Sequence, residues 1–305
     1  MRKKLVTIMV LGVAAALIMA AVVGCGSQAS SVGDPLAFFD QAKGQLKSAK
    51  SFSLGGQIGV KLNGTSGQDS GLPGNINLPF DGAMQKTNDM PEARVSFDAS
   101  FIADMLGELG GSAGIASTMD VYLVQGKMYF QNPLDGSWYY TDMTSIPGLP
   151  SYITNQDYAQ LLDAAKDVKV TQETSSSIKY EVSLDVNKLF PGDPSELSGN
   201  LAQGGVTPEE LQSIMDQLKK SISNTMMNVT VDKASGNPTE IAFTLDVSFQ
   251  GLGELASGLM DTGTGATISF DVNFADFGQK QDTKLPSAAQ NATPAEDMMS
   301  GSPFL

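Results

Sequence analysis

Four segments of the chain alternate apolar and polar residues with a period of two. They are Val95–Phe101, Val182–Asn187, Phe243–Phe249 and Ile268–Phe274. In an extended chain successive side chains point to opposite sides, so each segment has one oily face and one wet face. That pattern predicts antiparallel sheet, because parallel strands are buried on both sides. Phe97, Phe101, Leu184, Phe243, Leu245, Phe249, Phe270 and Phe274 all fall on the oily face of their segments.

Weaker strand signals extend the sheet. They lie at Phe52–Leu62, Leu78–Lys86, Met119–Val124, Lys127–Gln131, Ser137–Thr141, Val168–Gln172 and Met226–Asp232, making about eleven strands. The turns agree with this. Asp135-Gly136 and Gln125-Gly126 each separate two strand signals, and Ala234–Pro238 joins a third pair. Three helices are expected among them. The first follows Asp34-Pro35 and carries Leu36, Phe39, Ala42 and Leu46 on one side. The second starts near Asn155, and the third follows the capping box Thr207-Pro208-Glu209-Glu210. Each has a single apolar stripe, so each is expected to lie on the oily face of the sheet. The fold class is therefore α+β, with segments 34–286 read as one domain and 287–305 as a low-complexity, disordered tail.

Composition removes most chemistry. The 305 residues include no histidine and a single cysteine, Cys25. The commonest general base, the Ser-His-Asp and Cys-His triads and most catalytic zinc sites are thereby excluded, as is an internal disulfide. The formal charge is −14, and loss of residues 1–24, which carry three positive charges and no acid, takes it to −17. Nucleic acid is a poor partner for such a surface.

Three other residue groups have patterns associated with chemistry, and each has an ordinary structural explanation. Asp98, Asp185, Asp246 and Asp271 occupy equivalent wet-face positions, where they read as solvating charges rather than a calcium site. Ser176-Ser177-Ile178-Lys179 has the spacing of a Ser-Lys acyl enzyme but leads into a strand, where positions three apart face opposite ways. Trp138-Tyr139-Tyr140 reads as a hairpin clasp before a sugar-stacking platform. No catalytic residue, metal ligand or cofactor is expected.

The N-terminus carries the sharpest local signal. Arg2, Lys3 and Lys4 precede an uncharged run from Leu5 to Val23, and Val22-Val23-Gly24 leads directly to Cys25. This resembles the lipobox of bacterial lipoproteins. The resemblance implies cleavage before Cys25, a diacylglycerol on its thiol, and residues 25–33 as a tether off the membrane.

The body also resembles a known group. Val121–Phe130 followed by Trp138, the run Phe274-Ala275-Asp276-Phe277-Gly278 leading to Leu285-Pro286, and the opening Ala42–Phe52 are similar to the LppX/LprG-type lipoproteins of the LolA-like superfamily. That resemblance implies a curved, incompletely closed half-barrel whose apolar face is plugged by helices, with acyl chains between. Cys25 is the one residue that maps cleanly onto a role in that family. The long glycine-rich segments and the tail depart from it.

The expected function is an exported, membrane-anchored lipoprotein that binds an apolar or acylated ligand and passes it between envelope components. In this reading the residues on the oily face line the cavity, the lipid and the membrane are partners, and envelope proteins are further partners. The alternatives are a structural or sensory envelope lipoprotein with a filled core, and a hydrolase using carboxylates or a Ser-Lys pair. Twelve methionines follow Cys25 and would suit an adaptable lining. Phenylalanine and methionine on a sheet face serve a closed core equally well.

Overall fold

The computed structural model describes residues 35–63, 75–87, 90–98, 118–132, 136–142, 162–189, 219–248 and 265–295, together with Ser100, Ser213, Asp216 and Gln217. Phe101, Phe249 and Cys25 lie outside them. So do most of the second and third expected helices, although Leu162-Asp163 and Lys219–Ser221, at their ends, are helical.

The chain opens with helix α1 (Pro35–Ser48) and continues into β1 (Ser51–Asn63), β2 (Asn75–Thr87) and β3 (Met90–Asp98). Then come β4 (Thr118–Val124), β5 (Lys127–Gln131), β6 (Trp138–Asp142), β7 (Ala165–Glu173) and β8 (Ser177–Leu184). A short helix α2 (Val186–Leu189) precedes β9 (Ile222–Asp232), β10 (Pro238–Ser248) and β11 (Gly265–Ala275). A 3-10 turn (Ser287–Asn291) and a two-residue strand β12 (Thr293–Pro294) finish the described chain.

All twelve strands form one open sheet in the order β12-β6-β5-β4-β3-β2-β1-β11-β10-β9-β8-β7. Every pairing is antiparallel except β12 on β6. The eleven expected strands are all present, and the ends of the order do not meet, so the sheet is not closed. The period-two pattern becomes burial most plainly in β8. There Ile178, Tyr180, Val182 and Leu184 are buried, while the residues between them are half-buried. Each such side chain moved out of water contributes about 1.5–3 kcal/mol.

Helix α1 covers the β7–β10 part of the oily face. Phe39, Ala42 and Leu46 are buried three and four residues apart, and the Phe39 ring meets Tyr180 edge-on at 5.4 Å. Leu36, placed on the same stripe from the sequence, is instead exposed, because it sits in the first turn beyond the packed contact. The helix is also held by charge. Lys43 and Lys47 both pair with Asp163, the latter at 3.2 Å. Burial pushes the Asp163 carboxyl up, but the two ammonium groups outweigh it and hold it below the usual range.

Close approach of the strands is made by glycine at two points on the oily face. Gly56 stands between Val272 and Phe80, and a Cβ there would run into the carbonyl of Asp271. At Gly82 an added Cβ would meet the carbonyl oxygen of Arg94 at 2.7 Å. Side chains at either position would push apart the strands that now bend together.

Two expectations are corrected. The strand expected over Val182–Asn187 stops at Leu184, because the Asp185 side chain accepts the N–H of Asn187 at 3.0 Å and starts α2. The tail expected to be shapeless from residue 287 is built through Pro294, forming the 3-10 turn and β12, with Ala289 fully buried. Its order comes from docking on β6, a contact that local composition does not reveal.

Candidate functional site

Register aligns the oily residues into rows that cross the sheet. One row runs Tyr180, Val229, Ile241, Val272, Gly56, Phe80, Phe97 and Met119, from β8 to β4. The row beside it runs Val182, Met227, Phe243, Phe270, Ile58 and Leu78. Beyond it come Leu245, Ile268, Val60 and Ile76, and then Val247, Ala266 and Leu62.

Burial changes along these rows. Tyr180, Val182, Met227, Val229 and Val231 are completely covered. Phe243 and Phe270, directly opposite each other, retain 8% and 9% exposure and stack with centroids 6.1 Å apart. Past them, Leu245, Val247, Ile268, Val60, Leu62, Ile76 and Leu78 are all only half-buried. The oily face is therefore close-packed from its middle to the Phe52 end. It is half-open at the end where β1 and β10 finish and β2 and β11 begin, although Ala266 and Ile222 there are buried.

The sequence-derived candidates divide along this gradient. Phe243, Leu245 and Phe270 come together at the boundary and on the open side. Phe97 lies in the next row, three strands from Phe270, and is covered. Leu184, one row beyond Val182 and so at the same end of the face as Leu245, is buried. Phe274 is at the opposite end of the face, where its ring and that of Phe277 both pack on Phe52 at 5.6 Å. Val60, Ile76, Leu78 and Ile268 complete the open patch and were not singled out from the sequence. Their signal was present in the alternation of β1, β2 and β11, but nothing local separates an open apolar position from a covered one.

The wet side behind the open patch is stitched by polar side chains. Thr267 donates to Asp246 at 2.6 Å, Asn224 donates to its other oxygen at 3.0 Å, and Asn63 donates to Thr267 at 3.3 Å. These contacts span β1, β11, β10 and β9 and hold the strand ends together without help from the oily side. On the same face Asp271 has a buried oxygen without a hydrogen-bond partner. Burial and the neighbouring Glu240 push its carboxyl up, against the pull of Lys179.

The four wet-face aspartates do not converge. Asp98 caps the end of β3, where hydrogen bonds from Ser100 hold its carboxyl below the usual range. Asp185 caps α2, Asp246 is bound as above, and Asp271 pairs across from Ala242 and Gln57. Among the described residues no group of three or more metal-ligating side chains comes together. Ser176 sits in the β7–β8 turn and Lys179 on β8, in register with Thr230. The triplet Trp138-Tyr139-Tyr140 is split by the pleat. Tyr139 stacks on Phe130 on the oily side, while Trp138 meets Tyr122 and Tyr140 meets Tyr129 on the other.

No family model matches this chain, and no curated protein matches it. Solved structures do. LprF from Mycobacterium bovis is 9% identical, with a TM-score of 0.43 over 82% of this chain and 95% of that one. MucB in its complex with MucA(peri) is 11% identical, with a TM-score of 0.30 over 83% of this chain and 59% of that one. The LolA superfamily protein NE2245 from Nitrosomonas europaea is 8% identical, with a TM-score of 0.26 over 84% and 96%. At these identities and scores the fold of this chain rests on its own strand pairing.

Proposed function

We propose that this chain is an exported lipoprotein, anchored through Cys25, that binds an apolar or acylated ligand against the open end of its oily sheet face. The observation that carries the reading is the burial gradient. A row of apolar residues from Leu245 through Ile268 and Val60 to Ile76 is half-buried, beside a row that is nearly closed. Contiguous apolar surface of this kind is costly in water and marks ligand or partner sites. Transfer of the ligand between envelope components would use the same face. The apolar residues of this face offer binding and water exclusion, which supports the reading of a binder.

The test is organic extraction of the purified protein followed by mass spectrometry, with Leu245→Asp alongside. A charge at a half-buried position is tolerated by the fold but costs an apolar ligand its contact. The expected result is a co-purifying lipid in the wild type and its loss in the folded variant. A ligand-free wild type, or full lipid retained by Leu245→Asp, overturns the reading.

The close-packed part of the face favours a second reading, a structural or sensory lipoprotein with a filled core. Tyr180, Val229 and Val231 are fully buried. A wild type without lipid and with every apolar row equally sensitive to truncation would support it.

A further inference from the structure

The open sheet has two edges, and they are protected differently. The β7 edge carries Lys166, Asp167, Lys169 and Glu173, and its ladder to β8 is broken by two register shifts. Charge and bulges are standard defences against edge-to-edge pairing. The β6 edge has no register shift and little charge. Its sequence is Trp-Tyr-Tyr-Thr-Asp, with Asp142 the single charge, and its pairing to β5 is unbroken. Five residues this rich in aromatics make a sticky strand if left bare.

Among the described residues, what covers β6 is the end of the chain. After β11 the backbone turns at Asp276 and Gly278, both at positive φ, and the Gly278 N–H donates to the Ser51 carbonyl at 2.9 Å. Thr283, 2% exposed, donates to Glu92 at 3.1 Å and accepts from Gln85 at 2.8 Å, fastening the strap to β2 and β3. Ala289 is then buried in the 3-10 turn that packs on β6, and Thr293-Pro294 pair with Tyr139-Tyr140. The anchors are strong at Thr283, but the cover over the edge is thin. Two residues pair where five could, and Pro294 has no N–H to give.

We propose that residues 285–294 are a clasp that keeps the β6 edge from pairing with a second copy of this chain. The occupant follows from symmetry and charge. An antiparallel β6–β6 pair about a twofold axis is self-complementary, so each copy supplies the surface the other needs. It also brings only the two Asp142 carboxylates as like charges, whereas a β7 edge would bring several.

The experiment compares the intact protein with a chain ending at Lys284, which keeps the Thr283 anchor and removes the clasp. Light scattering should show the intact chain as a monomer and the shortened chain as a folded dimer at equal concentration, about 50 μM. Tyr140→Lys in the shortened chain should return it to monomer, since an edge lysine opposes pairing. A folded monomer after shortening overturns the proposal. So does a shortened chain that no longer folds, which would make residues 285–294 part of the core. A dimer indifferent to Tyr140→Lys places the contact elsewhere, and an intact dimer means no clasp; either outcome also overturns it.

Discussion

Phe243 on β10 and Phe270 on β11 face each other across one rung of the sheet and stack at an interplanar angle of 22°. On one side of this pair lie Ile241 and Val272, which are covered; on the other lie Leu245 and Ile268, which are half-open. The pair therefore forms the boundary between closely covered rows and half-open ones on the oily face.

Truncation should read that boundary. Phe52→Ala removes a fully buried ring packed on Phe274 and Phe277, and should cost about 3–5 kcal/mol. Phe243→Ala should cost less by about 1 kcal/mol or more, because its ring borders the half-buried Leu245 and Ile268 rather than a fully covered row. Denaturant unfolding of both variants measures the difference, and equal losses would place Phe243 inside a solid core.

The glycines on the oily face make a sharper prediction. Gly56→Ala drives a methyl group into the Asp271 carbonyl and should destabilise by about 1–3 kcal/mol or more. Gly55→Ala, one residue away on the wet face, meets only the Phe80 carbonyl at an ordinary 3.7 Å and should stay within about 0.5 kcal/mol of wild type. Thermal melting of the two variants side by side decides it.

Asp271 should reveal itself through pH. Its carboxyl titrates above the ordinary value, with burial as the main cause and Glu240 as the second. A carboxylate with a raised native pKa weakens the fold where it is ionised, and the penalty disappears as pH falls below its unfolded value. Asp271→Asn should therefore melt higher than wild type at pH 7 and match it near pH 3. A variant less stable at pH 7 would mean that the charge has a partner holding it.

Cys25 is predicted to be the acylation site and to mark the cleavage point. Cys25→Ala should keep Leu5–Val23 and migrate as a larger, unlipidated precursor. Incorporation of radioactive fatty acid equal to wild type would refute this.

The strands were legible in the sequence because alternation is a local property. Ile178, Tyr180, Val182 and Leu184 announce their buried face within a single segment, and the hairpin turns announce their neighbours. The wet faces were equally plain, although Asp185 ended its strand earlier than the alternation suggested. What one segment cannot state is how well its oily face is covered. Val60 and Ile58 occupy the same face of the same strand two residues apart, yet one is half-open and the other closed.

Coverage depends on what the rest of the chain lays over each row, and strand order depends on contacts between distant segments. β1 lies beside β11, pairing Leu54 with Phe274 across more than two hundred residues of chain. The docking of Thr293-Pro294 on Tyr139-Tyr140 is decided the same way. The sequence by itself determined one-sided strands and the absence of histidine chemistry. Only the tertiary structure decided which end of the apolar face stays open and which sheet edge needs a cover, because both depend on long-range register that no local pattern encodes.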